Sequence, residues 1–324
     1  MCTAATYKTK DHYFGRTLDW ESSFNENVTV TPRNFTFKFR KVDELLTHYA
    51  IIGVAVVSQD YPMYFDATNE KGLSMAGLNF PDNAVYKAPV DGMDNIAPFE
   101  FIPWILGQCS DVSEAEMMLK KINLVDINFS NEFPLSPLHW IIADSERSIT
   151  VEPLESGLKV YNNPVGVLTN NPPFDFHMLN LCHYMGVSKN EPENRFSEKL
   201  SLSPYSRGMG AVGLPGDLSS ASRFVKATFT KMNSVSDDTE KESISQFFHI
   251  LSSVEQQRGC VDMGDEKYEI TLYTSCCNTN KGIYYYTTYE NRQISGIDMH
   301  KENLDGDKLI SYPMITTQQI NIQN

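Results

Sequence analysis

The sequence predicts an α+β fold in which one domain spans residues 1–324 and strands and helices keep to separate layers. Three observations carry this reading. Runs rich in β-branched and aromatic residues are joined by short polar turns, as hairpins require. Two helical blocks fall between three strand blocks, giving the order strands, helices, strands, helices, strands. No internal repeat, low-complexity tract or long linker divides the chain.

The opening reads as paired strands: CTAATY (2–7), a KTKD turn, HYFGRTLDW (12–20), then NVTVTPRNFTFKF (27–39). YAIIGVAVVS (49–58) is apolar enough for a buried strand, and MYFDATNEKGLSMAGLNF (63–80) is a hairpin about NEKG. Helices follow in PFEFIPWILGQCS (98–110) and SEAEMMLKKIN (113–123), where Ser113 and Glu116 have capping-box spacing. Strands return in LHWIIAD, SITVEP and LKVYN. Residues 188–204 are polar and form an excursion from the core. SSASRFVKATFTKM is an amphipathic helix with Ala221, Phe224, Val225, Phe229 and Met232 near one face, and ESISQFFHILSSVEQQ is a second. YEITLYTSC, GIYYYTTYE, ISGIDM and KLISYPM close the chain as strands.

Net charge is −14 with pI near 4.9, which argues against nucleic acid as a partner. An anionic substrate would need a local basic group to meet it. The six cysteines show no CxxC spacing, a pattern of reduced, intracellular thiols. The N-terminus lacks the continuous apolar run of a signal peptide, and no apolar stretch is long enough for a membrane span. His177 and His183 do not have metal-ligand spacing on one helix face, so neither a metal nor a cofactor is expected.

Cys2 follows the initiator methionine directly and is small enough for Met1 to be removed. The residue would then carry a free α-amine beside its thiol, a nucleophile with a base attached. An α-amine titrates near 7.7–8.0, so a useful fraction is neutral at pH 7 and can take a thiol proton. A guanidinium beside a thiol favours the thiolate, and Arg16 on the neighbouring strand is the candidate. Asp19 lies three positions on. Strand alternation puts Arg16 and Asp19 on opposite faces, so a bulge or strand end must let both reach Cys2.

Taken together, MCT, HYFGRTLD, NEKGLSMAGLNFP, SPLHWIIAD, NPVGVLTNNPPFDF, GLPGDLSSASRFVKATF, QFFHILSSVEQQRG, YTSC and KGIYYYTTYEN resemble the choloylglycine hydrolase family, in its bile salt hydrolase branch. The resemblance runs through nearly the whole chain in order. It implies the four-layer αββα sandwich of the N-terminal-nucleophile hydrolases and cleavage of glycine- or taurine-conjugated bile salts. It further implies that Cys2 is the nucleophile, Arg16 flanks its thiol and Asp19 holds its α-amine. Asn79 would give a backbone N–H and Asn170 a side-chain N–H to the oxyanion, with Arg223 positioning the site or assisting charge stabilisation. Leu18, Phe65, Phe129 and Phe133 would line a sterol pocket. A cytoplasmic homotetramer is the implied form, assembled partly through an extension after the TNNP region; residues 188–204 are either that extension or a solvated loop. Two rivals share the fold: a penicillin V acylase, which often has tyrosine where this chain has Asn79, and a non-catalytic sterol-binding relative. A papain-like Cys–His enzyme is the remaining mechanism, and none of the seven histidines sits in its local signature.

Overall fold

The structure is a computed structural model that describes all 324 residues. A first hairpin, β1 (Cys2–Lys8) and β2 (His12–Trp20), is followed by β3 (Asn27–Thr31), β4 (Ile51–Ser58), β5 (Tyr61–Asn69) and β6 (Ser74–Asn79). Then come β7 (Asp94–Ile96), α1 (Phe101–Gln108), α2 (Val112–Leu119) and β8 (Ile122–Leu124), with β7 and β8 paired as a short parallel ribbon. Next are β9 (Leu138–Ala143), β10 (Ser148–Leu154), β11 (Gly157–Asn162), β12 (Val167–Leu168) and α3 (Phe174–Asn180). The last third holds α4 (Ser220–Asn233), α5 (Glu240–Ser252) and a small hairpin of β13 (Asp262–Gly264) and β14 (Lys267–Tyr268). It ends with β15 (Ile270–Asn278), β16 (Ile283–Thr288), β17 (Ser295–Asp298) and β18 (Ile310–Pro313).

Two antiparallel sheets form the centre, in the orders β12-β1-β2-β15-β16-β17 and β11-β10-β9-β6-β5-β4-β3-β18. Side-chain alternation assigns the layers. From the eight-stranded sheet, Ile52, Val54, Ala76, Leu78, Ile141 and Ala143 point into a core shared with Phe14 and Tyr273 of the other sheet. That core continues through the six-stranded sheet to Phe224 of α4 and Phe247 of α5. Ile51, Met75, Trp140 and Ile142 point the opposite way, onto Phe101 and Ile105 of α1 and Ala115 of α2. The result is the expected α+β architecture of four layers, helices outside two sheets. Both faces of the central strands are covered, which is why IIGVAVVS is continuously apolar rather than alternating. The glycine of FGRTLD has a steric cause: a Cβ on Gly15 would sit 2.0 Å from the Ser275 carbonyl oxygen of the adjoining strand.

Several local expectations are corrected. The third strand stops at Thr31, since Pro32 offers no N–H to a ladder, and Phe37 keeps only an isolated bridge to Leu45. The cap of α2 is Asp111, accepting the Glu114 N–H at 2.9 Å; Ser113 and Glu116 instead both take Arg147. The buried face of α4 includes Ser220, Arg223, Phe224, Ala227 and Thr228 at helical spacing, while Met232 is exposed. Three of those five are polar, so apolar periodicity alone rotated the face. Residues 188–208 contain no helix or strand.

Candidate active site

The candidate residues converge at one end of the sandwich. Cys2 opens β1 opposite Leu18, and Asp19 and Trp20 end β2 beside it. Asn79 ends β6, Asn170 follows β12, and Arg223 lies in the first turn of α4. Antiparallel pairing brings these strand ends together from distant stretches of sequence, and the Ser219 cap, accepting the Ser222 N–H, starts α4 where its first turn can face them.

Asn170 is the hub. Its Oδ1 accepts the Cys2 N–H at 2.8 Å and Arg223 Nη2 at 2.8 Å, and its Nδ2 donates to the Asn79 carbonyl at 2.7 Å. Two donors on Oδ1 and an acceptor on Nδ2 fix the orientation of the amide, and one Nδ2–H remains uncommitted. Arg223 Nη1 also donates to the Cys2 carbonyl and to Thr3 Oγ1, both at 2.6 Å, and its Nε to the Leu218 carbonyl at 3.0 Å. Burial depresses the Arg223 guanidinium against the raising influence of Asp19 and Cys2.

Arg16 and Asp19 take opposite faces of β2, as alternation requires. The fully buried Arg16 turns between the sheets, where Nη1 reaches the carbonyls of Phe65 (3.1 Å) and Gly77 and Nε that of Thr17. Its Nη2 has no partner. Burial works against the charge, yet Cys2, Tyr273, Asp66 and Asp19 outweigh it and hold the guanidinium above its ordinary range. Asp19 turns the other way, accepting from Thr271 Oγ1 at 2.7 Å and Thr17 Oγ1 at 3.2 Å. Burial pushes its carboxyl up, opposed chiefly by Arg223 and the chain-terminal amine. Both reach Cys2 because β2 ends at Trp20 and β15 bulges at Leu272, between the partners of Leu18 and Asp19. With Met1 attached, its amine donates to the Asp19 carbonyl oxygen at 2.8 Å and pairs with Glu269. Burial lowers the proton affinity of that amine.

A cavity of about 410 Å³ opens above Cys2, with Arg16, Asp19 and Asn79 on its floor and Leu18, Phe65, Phe129 and Phe133 among its walls. Asn170 and Arg223 stand behind Cys2 and do not line it. The sequence reading missed most of the remaining wall. Trp20, Phe24 and Phe65 form one aromatic side, with centroids 6.2 and 5.5 Å apart. Phe99, Phe129 and Phe133 form another, spaced 5.2 and 6.1 Å. Arg40 braces that second side from behind, its guanidinium 5.5 Å from the Phe129 ring while Nη2 donates to the Phe129 carbonyl. The aromatic clustering in PFEF and NFSNEF was the available signal. No group of three or more His, Cys, Asp or Glu is gathered to hold a metal ion, no helix is long and apolar enough to cross a membrane, and all six cysteines are free.

Comparison with known proteins gives a consistent picture. The family model "Linear amide C-N hydrolases, choloylglycine hydrolase family" matches residues 2–312. A bile salt hydrolase/transferase from Lactiplantibacillus plantarum is 56% identical over 319 residues, covering 98% of each chain. One of the same description from Clostridium perfringens is 44% identical over 331 residues and the full length of both. The crystal structure of the C2A mutant of the conjugated bile acid hydrolase from Clostridium perfringens superposes with a TM-score of 0.92 at 42% identity, covering all of both chains.

Proposed function

The chain belongs to the choloylglycine hydrolase family of linear amide C–N hydrolases, and from that premise we propose that it cleaves the amide of glycine- or taurine-conjugated bile salts. One observation carries the proposal: Cys2 lies on the floor of a cavity whose walls are mainly apolar and aromatic, with Arg16, Asp19 and Asn79 beside it and Asn170 holding its nitrogen. An apolar chamber with a few convergent polar groups suits a rigid sterol joined to a polar amide. The cavity has no lysine at its rim and only the buried Arg16 as a cation. Recognition would therefore rest on the sterol, with the anionic tail left toward water.

In this reading Met1 is removed and the nitrogen now held by Asn170 Oδ1 becomes the α-amine. It takes the Cys2 thiol proton as Sγ attacks the amide carbonyl. The uncommitted Nδ2–H of Asn170 and the Asn79 N–H meet the oxyanion, one such donor being worth about 2.7–4 kcal/mol. The unpartnered Nη2 of Arg16 supports negative charge on sulfur, and Arg223 locks Asn170 and the Cys2 carbonyl. The amine then protonates the departing glycine or taurine nitrogen, leaving a thioester, and activates the water that releases the free bile acid. A second nucleophile in place of that water would make the same thioester a transfer intermediate, in keeping with the word transferase in the relatives' names.

We further propose a homotetramer acting in the cytoplasm. Support for assembly comes from residues 188–208, which expose Phe196, Leu200, Leu202 and Tyr205, the two aromatics by 80% and 86%. The test of function is intact mass with glycine release from glycocholate followed in parallel, on the native chain, Cys2→Ser, and a form with an uncleavable N-terminal extension. Loss of Met1 from the native chain is expected, with glycine release confined to it. Full activity in the extended form would sink the α-amine mechanism, and a processed chain that leaves glycocholate intact would sink the substrate.

A further inference from the structure

Behind Asn170 lies a buried pair that the chemistry above does not use. His139 on β9 and Glu152 on β10 are both completely buried. His139 Nδ1 stands 3.0 Å from Glu152 Oε1, and Nε2 stands 2.8 Å from the carbonyl oxygen of Thr169, the residue preceding Asn170. The Phe80 ring lies flat on the imidazole, centroids 4.1 Å apart and planes 6° off parallel, closing the site to water.

Counting hydrogens decides the state of this pair. A carbonyl oxygen accepts only, and so does an ionised carboxylate, whereas a neutral imidazole has a single N–H. With one proton on the ring, one of these two short contacts would set acceptor against acceptor in a closed, low-dielectric site, where an unpaired polar group is most costly. Both contacts are satisfied only when the unit holds two protons, one on Nε2 and one between Nδ1 and Oε1. Glu152 Oε1 also accepts the Phe174 N–H at 3.0 Å, anchoring the start of α3 to the same atom.

What the pair grips is the backbone carrying Asn170. Thr169 is held by His139 and by exchange with Ser220. Asn170 itself donates its N–H to Ser220 Oγ at 2.8 Å, and its carbonyl accepts from His177 Nε2 at 2.9 Å. His177 is kept neutral, its proton affinity lowered to about 4 mainly by burial, so it can donate from one nitrogen only. We infer that Glu152 and His139 form a proton-sharing positioning pair, which fixes the Thr169 carbonyl and thereby aims the Asn170 amide at the oxyanion. This role rests on the reading of Asn170 as an oxyanion donor.

Neutron diffraction from a perdeuterated crystal of the full chain at neutral pH counts the protons directly. Two deuterons on the ring–carboxylate unit are expected, and a single one would overturn the inference. In solution, Glu152→Gln keeps the shape and removes the charge. Its kcat on glycocholate should fall by about 10- to 100-fold, as small misplacements of reacting groups do, with KM and the rate of Cys2 alkylation by iodoacetamide changed less than about twofold. Unchanged kcat in a folded variant, or a loss confined to KM, would overturn the positioning role. If the variant does not fold, the deuteron count on the native chain still decides. A native chain that releases no glycine would instead refute the substrate reading, leaving that count to stand by itself.

Discussion

Replacing Asn170 by alanine separates catalytic from structural roles in amounts that can be worked out beforehand. The side chain makes three hydrogen bonds, to the Cys2 nitrogen, Arg223 Nη2 and the Asn79 carbonyl, and has one N–H in reserve. Removing a pre-aimed oxyanion donor costs about 2.7–4 kcal/mol in the barrier, a factor of about 10² to 10³ in kcat. The structural cost has a different source. Arg223 is 1% exposed, so its Nη2 would be left buried without an acceptor, worth about 1.5–3 kcal/mol because the donor is charged. Denaturant unfolding should show a loss of that size. Asn170→Asp divides the two effects. A carboxylate keeps both acceptor bonds and adds an ion pair with Arg223, so stability should hold better than in the alanine form. The same carboxylate faces the Asn79 carbonyl and the developing oxyanion with no donor to offer, so kcat should fall at least as far. Glycine release from glycocholate by the processed enzyme, alongside urea titration, reads both quantities. An alanine variant within about tenfold of native kcat, which is about 1.4 kcal/mol, would refute the assignment of Asn170 to the oxyanion. So would an aspartate variant with native kcat.

Two further outcomes concern titration and assembly. Burial holds His12 and His177 near 4, below the 6.5 of an unfolded chain, so each adds stability that is complete above pH 6.5 and lost as pH falls toward 4, about 3 kcal/mol apiece. Carboxyls raised by burial, Asp19, Asp66 and Glu100, act in the opposite sense; the urea midpoint of His12→Gln should therefore fall less than the native between pH 7 and pH 4, and parallel curves would sink the reasoning. For assembly, light scattering should give four copies for the native chain and a smaller species after Phe196→Ser with Tyr205→Ser, whereas a native monomer would remove the tetramer.

How much of this could be read from the sequence depended on the kind of interaction involved. Strands declared themselves where both covered faces required apolar residues, as in β4, or where a turn sat between β-prone runs, as in β5 and β6. Short elements did not: β7 and β8 have three residues each, too few to show a period, and their pairing is long-range. Polar burial misled in α4, where Ser220 and Arg223 occupy an inward face because Asn170, Thr169 and Cys2 bond to them, while Thr228 is buried on that face with its hydroxyl unpartnered. Aromatic walls such as Trp20 with Phe24 were hidden because side chains of loop and strand meet only after folding.

The opposed faces of Arg16 and Asp19 explain why the site is at a strand end and nowhere else on β1. In mid-sheet, a residue on β1 would meet one face or the other: the inter-sheet face with Arg16, or the helix-facing side with Asp19 and Arg223. Only where β2 runs out at Trp20 and the bulge at Leu272 loosens the ladder can one residue address both. The nucleophile must then be the first residue of β1, because a preceding residue fills the space between Asp19 and Glu269, as the Met1 amine does. The position of Cys2 in the chain and the split of its partners across β2 are thus one requirement. A thiol at position 4 would still pair with Arg16 across the ladder, but its nitrogen would be a peptide amide within the sheet. It would have neither a free amine to act as base nor access to the cavity.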